Sequence, residues 1–432
     1  MTKKKIDILV VGFALFSMFF GAGNVIFPPY LGMGAGPKWI GAFVCYYIAD
    51  IGLAVVAIFA MLVNGGDIEV ITNKLGNLPR KLMTSAIILC VGPLLAIPRT
   101  GATTFEMAVV PILGDGKAVA IVSSIVFFAI IMLLSIKESA VVDIVGKFLT
   151  PALFGGLIIL IIKGIITPVG SISDKSLMDN VIANGVISGY QTMDVLAALV
   201  FGIIVLKTAE QKGYTDKQSK MRLVAPASIV AAVGLLIVYC GLAYLGATSS
   251  TFYGLEINRA QLVVNIISRL LGNGGVILLG IVVALACITT AVALTSASAN
   301  YFSKLTGGKL SYRVIVVGIC LFSAFISNFG LNQIIAVSSP ILSLVYPGAL
   351  TLIFLSFFSN KIEHRNIYCA ATLGAMLVSL LEILHGYGFP FHVVGYLPFA
   401  RFGFAWVIPA AVFGLMAVLY NRFHKSDYRV CS

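Results

Sequence analysis

A chain of 432 residues that is 59% hydrophobic and only 11% charged is excluded from the soluble class, because soluble domains are about 45–50% apolar and about 25% charged. Its excess of 29 Lys and Arg over 17 Asp and Glu would suggest nucleic acid in a soluble protein. Here the basic residues sit in short loops, with no basic face and no aromatic-interleaved patch, so no nucleic-acid partner is expected. The reading left is one transmembrane domain over 1–432 whose solvent is the lipid bilayer.

A spanning helix needs about 20 mostly apolar residues. Twelve runs meet that requirement: 8–30, 39–63, 82–110, 118–136, 141–163, 185–207, 223–246, 274–300, 313–329, 333–358, 366–386 and 402–421. The first is preceded by Met1-Thr2-Lys3-Lys4-Lys5, like the basic start of a signal peptide. It runs on through Gly21-Ala22-Gly23-Asn24 into Phe27-Pro28-Pro29, and a first transmembrane helix fits that whole run better. Two glycines around an alanine, then asparagine, weaken a helix in mid-bilayer; tight packing by small residues is the other use of such a run. The third run is long and contains Pro98 and Arg99, so it is expected to hide a break. Glu106 follows Arg99 by two turns on the same helical face, as a gate or as part of a structural ion network.

The sixth run carries Gly189-Tyr190-Gln191-Thr192-Met193-Asp194, a polar stretch between two apolar ones. Irregular backbone at membrane depth survives only where it is buried or lines a cavity. Asp194 is read as a cation or proton acceptor, or as a charge paired at the cavity edge. A short amphipathic helix outside the membrane is expected around 258–271. In the eighth run, Thr289 and Thr290 follow Ala286; threonine in a membrane helix often bonds back to its own helix. Asp50, Glu382 and His385 are read as lying near span ends, where interface contacts account for them.

The seven cysteines include no C-x-x-C pair, and Cys431 is penultimate, so it fails the prenylation pattern. The four histidines, His364, His385, His392 and His424, have no metal spacing. Neither a cofactor nor an enzymatic nucleophile–base set is expected. Orientation follows from loop charge. With the N-terminus and every even loop inside, that side holds 21 of the 29 Lys and Arg, the other side holds 7, and Arg99 lies within a span. Both termini are therefore expected in the cytoplasm.

The two interrupted spans lie five helices apart, as corresponding first helices of two five-helix repeats of opposite topology. Paired interruptions of that kind mark transporter sites. A broken helix exposes N–H groups that attract a carboxylate and carbonyls that attract an ammonium group or sodium. A zwitterionic amino acid suits both.

Three separated motifs carry a family resemblance: Phe19-Phe20-Gly21-Ala22-Gly23-Asn24-Val25-Ile26-Phe27-Pro28-Pro29, Gly92-Pro93-Leu94-Leu95-Ala96-Ile97-Pro98-Arg99-Thr100, and Gly189-Tyr190-Gln191-Thr192-Met193-Asp194. The chain resembles the branched-chain amino acid:cation symporter family. The resemblance implies an all-α integral membrane protein of about twelve helices. Its fold would be LeuT-like, of the amino acid–polyamine–organocation superfamily, with inverted repeats over 1–165 and 180–360 and helices 11–12 over 361–432. It implies import of leucine, isoleucine and valine across a bacterial cell membrane, coupled to sodium or in some members to protons, with no obligate protein partner. By the resemblance, the amides of Gly21, Ala22 and Gly23 would hold the substrate carboxylate, with Asn24 beside them in the substrate site. Gly189, Tyr190, Gln191 and Thr192 would face its amino group and side chain. Sodium would be bound by the hydroxyls of Thr289 and Thr290 and the carbonyls of Ala286, Ser17 and Phe20. Asp194, Arg99 and Glu106 are candidates for coupling or gating. The alternatives are a proton-coupled symporter for other small hydrophobic amino acids, or a channel, although no charge ring or repeated pore element is present.

Overall fold

The computed structural model describes residues 3–136 and 141–423, the side chains of 141–153 excepted. His424, Cys431 and the chain end whose sidedness was inferred from charge lie outside the described residues. Among the described residues the elements are helices, and eight helical stretches are long and apolar enough to cross a membrane. Three shorter apolar helices, Phe154–Ile166, Tyr312–Ser327 and Val407–Phe423, accompany them. The outer faces are apolar: Ile121, Val122, Ile125 and Val126 on one helix are all exposed, which suits lipid tails and not water.

The first span is two helices, α1 (Lys3–Phe19) and α2 (Ala22–Ala35), with Gly21 extended between them at φ −113°, ψ −172°. Next come α3 (Trp39–Tyr47), a π-helical turn over Ile48–Gly52, α4 (Leu53–Val63) and the short α5 (Ile68–Thr72). The third span is α6 (Asn77–Leu89), a π-turn at Cys90–Leu94, α7 (Ala96–Thr104), a second π-turn at Phe105–Val109, and α8 (Val110–Leu113). Its expected break exists, at Gly92 (φ −103°, ψ −129°). Pro98 sits in the first turn of α7, where the missing N–H has no intrahelical carbonyl to meet.

The chain continues through α9 (Lys117–Ile136) and α10 (Val141–Ile166) to a second broken span. That span is α11 (Val181–Thr192) and α12 (Asp194–Gln211), joined by Met193 in the left-handed region at φ 69°. A non-glycine residue held there is uncommon and points to constraint by its surroundings. After α13 (Lys217–Ala247), α14 (Arg259–Leu305) contains the expected short helix, set off from the long one by Gly272 at φ 66°. Asn258 caps its start, accepting from the Ala260 and Gln261 amides at 2.8 and 3.3 Å. The remaining helices are α15 (Tyr312–Ser327), α16 (Leu331–Ser356), α17 (Arg365–Gly386) and α18 (Val407–Phe423), and α17 packs against α18.

Both halves of the first span rest on α13. On α2 the approach is set by missing side chains. A Cβ on Gly32 would land on the Ala243 carbonyl, and one on Gly246 would land on the Pro29 carbonyl. Backbone therefore lies on backbone at two points, the small-residue packing that holds membrane helices where no hydrophobic force separates protein from lipid.

Candidate functional site

The two broken spans meet, and the ends of their four half-helices surround a cavity. Gly21, Ala22, Gly23 and Asn24 line it from α2 and its N-cap, Arg99 and Thr100 from α7, Thr192, Met193 and Asp194 from the α11–α12 joint, and Thr290 from α14. Apolar walls come from Met18, Val91, Ala96, Phe201 and Leu294. The first N–H groups of a helix have no partner within it. Gly21, the N-cap of α2, supplies no side-chain bond, so this end offers bare amides and the positive end of a helix dipole.

Three polar side chains tie the joints together. Asn24 donates through Nδ2 to the Phe19 carbonyl at the end of α1 and, at 2.7 Å, to Asp194 Oδ2. Arg99 is 4% exposed. It donates to the Gln191 carbonyl and, at 3.0 Å, to the Thr192 carbonyl. The negative end of α11 is thus filled by a guanidinium fork, which suits two carbonyls better than a point charge would. Gly23 makes room for it: a Cβ there would stand 3.0 Å from the guanidinium nitrogen. Thr192 Oγ1 lies 2.7 Å from Asp50 Oδ1 and 2.6 Å from the Gly189 carbonyl, its single proton serving both.

Asp50 is the residue that sequence reasoning misplaced. It is not at a span end but fully buried, at 0% exposure, in the Ile48–Gly52 π-turn. A π-turn carries an extra residue and is frequent at functional sites. Here it sets the carboxyl against the α11–α12 joint. Gly189 permits the contact, since a Cβ there would come 2.9 Å from the Tyr46 carbonyl and 3.1 Å from the Asp50 amide. The available signal was an acidic residue well inside the 39–63 run, functional by default at membrane depth.

The structure does not gather every expected residue. Gly189 faces the π-turn, Tyr190 stacks on Tyr346 with ring centroids 4.6 Å apart, and Gln191 contributes its carbonyl to Arg99. None of the three lines the cavity, whereas Thr192 does. Glu106 is not joined to Arg99. It accepts from the Leu331 amide at 3.0 Å, capping α16, while Arg99 turns to α11. On α14, Thr289 donates to the Ala286 carbonyl at 2.9 Å, and Thr290 opens into the cavity opposite Gly21. Phe20 is buried at the first joint, and Ser17 lies half-buried on α1. Among the described residues no three His, Cys, Asp or Glu side chains group as a metal centre.

Comparison with known proteins places this arrangement. The family described as branched-chain amino acid transport protein matches residues 4–424. The branched-chain amino acid permease BraB of Bacillus subtilis is 36% identical over 427 residues, covering 96% of each chain. The permease BrnQ of Escherichia coli K12 is 34% identical over 423 residues, again with 96% of each covered. The branched-chain amino acid transport system 2 carrier protein of Pseudomonas aeruginosa is 35% identical over 426 residues, with 97% of each covered. Among solved structures, the nucleobase-cation-symport-1 transporter Mhp1, closed with bromovinylhydantoin bound, superposes with a TM-score of 0.66 at 12% identity, covering 98% of this chain and 94% of its own. MhsT in complex with L-phenylalanine gives 0.59 at 16% identity, covering 95% and 98%. The all-helical fold is therefore LeuT-like.

Proposed function

The chain belongs to the branched-chain amino acid transport protein family, and from that premise we propose that it imports leucine, isoleucine and valine by alternating access, coupled to sodium. The observation that carries the reading is the cavity at the crossing of two broken spans, with open amides on one side and an acceptor on the other. The substrate carboxylate sits on the amides of Gly21–Gly23. The α11 carbonyls, which the sequence assigned to the ammonium, already hold Arg99. Asp194, at the same joint, is the acceptor for that ammonium. The aliphatic side chain meets the apolar walls.

In this reading the protein lies in a bacterial cell membrane with both termini in the cytoplasm. Residues 1–165 and 180–360 are the inverted repeats, and 361–432 are appended. Inhibition of labelled leucine uptake tests the substrate class. One methylene in an apolar pocket discriminates by about 1–3 kcal/mol, so isoleucine and valine compete with leucine. Lysine and glutamate do not, because their side-chain charge would be buried without a partner. Lysine competing as well as leucine overturns the assignment.

Sodium is assigned to Thr289 and Thr290 with the carbonyls of Ala286, Ser17 and Phe20, an all-oxygen shell for a hard cation. The position of Thr290 opposite the α1–α2 joint supports it. One charge entering across 100 mV releases about 2.3 kcal/mol, enough for roughly 50-fold accumulation. Thr289→Ala and Thr290→Ala should each raise the sodium concentration for half-maximal uptake by about tenfold, the equivalent of one lost ligand of about 1.4 kcal/mol. Leucine affinity at saturating sodium should move less. Unchanged sodium dependence in both variants removes these residues from the site.

A further inference from the structure

Asp50 and Asp194 reach the α11–α12 joint from different elements and meet at Thr192, whose hydroxyl donates to Asp50 Oδ1 at 2.7 Å and accepts from the Asp194 amide at 3.5 Å, so the two carboxyl groups lie side by side. Each has one oxygen committed: Asp50 Oδ1 to Thr192 and Asp194 Oδ2 to Asn24. Asp50 Oδ2 is fully buried with no donor. The groups facing the pair are Arg99 from α7, Tyr46 and Tyr47 from the α3 side, Tyr239 from α13 and Tyr346 from α16. The Tyr46 hydroxyl faces Asp50 without completing a hydrogen bond. Of these groups only Arg99 is a cation, and it gives two of its donors to the α11 carbonyls.

Two carboxylates beside one guanidinium leave an uncompensated negative charge in the bilayer, and two like charges in contact cannot both remain ionised. A proton between them answers both problems and supplies the donor that Asp50 Oδ2 lacks. We propose that Asp50 and Asp194 share one proton, a protonatable pair at the α11–α12 joint, separate from the hydroxyl site on α14. An ammonium arriving beside Asp194 brings the same positive charge and sends that proton to water. The substrate's own carboxylate, held on the α2 amides, is offset by the sodium of the reading above, so the buried charge stays balanced in both the empty and the loaded carrier. The exchange rests on the substrate reading above; the shared proton does not.

Infrared spectroscopy of the full-length protein in lipid, without substrate, tests the pair by the C=O stretch of a protonated carboxyl at neutral pH. The wild type should show the band. Asp50→Asn and Asp194→Asn should each lose it, because one carboxylate facing Arg99 needs no proton. Either variant alone suffices if the other fails to fold, and Glu382→Gln should keep the band. Absence of the band in the wild type, its survival in both Asp variants, or its loss on adding sodium overturns the shared proton. Leucine should then abolish the wild-type band. A band that persists in protein shown to bind leucine overturns the exchange and leaves the transport reading standing.

Discussion

Replacing Arg99 by methionine should abolish leucine uptake and destabilise the folded protein by about 3–5 kcal/mol, the usual result of removing one partner from a buried charge network. The guanidinium fills two carbonyls at the end of α11 and is the cation beside Asp50 and Asp194. Without it the carbonyls of Gln191 and Thr192 are left unpaired, each at a cost of about 1–3 kcal/mol. Lysine should rescue stability in part, since it keeps the charge, but not transport, since a point charge cannot hold both carbonyls in the forked geometry. Uptake by reconstituted protein and thermal unfolding in detergent separate the two effects. An Arg99→Met protein that transports at the wild-type rate would show that the α11 end is not held this way.

The second large effect is expected at the α2–α13 contact. Gly32→Leu or Gly246→Leu places side chain where the Ala243 and Pro29 carbonyls now lie. Overpacking a side-chain core costs about 1–3 kcal/mol. Here the obstacle is backbone, which cannot change rotamer, so each variant should exceed that range and lose most folded protein. Gly41→Leu is the control, because a Cβ at Gly41 meets nothing within 4 Å. Monodisperse yield on size-exclusion chromatography reads the outcome. Normal yield for both core variants would mean that α2 and α13 are not in this contact.

Features that disturb a simple period were the legible part of the fold. The glycines of the first span and the polar run of the sixth each break a helix where the sequence indicated, at Gly21 and at Met193. The third span also breaks, as its length and polar content indicated, although the sequence reading assigned the break no position. Pro98 fits the first turn of α7, while Gly92 carries the non-helical backbone. The partners of the buried charges were not legible. Spacing put Arg99 and Glu106 on one ideal helical face, yet the two side chains serve different helices, α11 and α16. Asp50 was misread for a related reason: its π-turn leaves no mark in an apolar stretch, and its partners, Thr192 and Asp194, lie more than a hundred residues away in sequence. Tyr190 belongs to a motif but packs on Tyr346 behind the cavity. The motif marked the joint without telling which of its side chains face inward.

The central claim, that the cavity between the two broken spans carries a branched-chain amino acid together with sodium, is tested most directly by reconstitution. Labelled leucine uptake into proteoliposomes would be measured with inward sodium and proton gradients imposed separately. Concentrative uptake under the sodium gradient, absent when potassium replaces sodium, is the predicted result. Uptake driven equally well by a proton gradient in sodium-free buffer would contradict the sodium assignment, and no concentrative uptake under either gradient would contradict the transport reading itself.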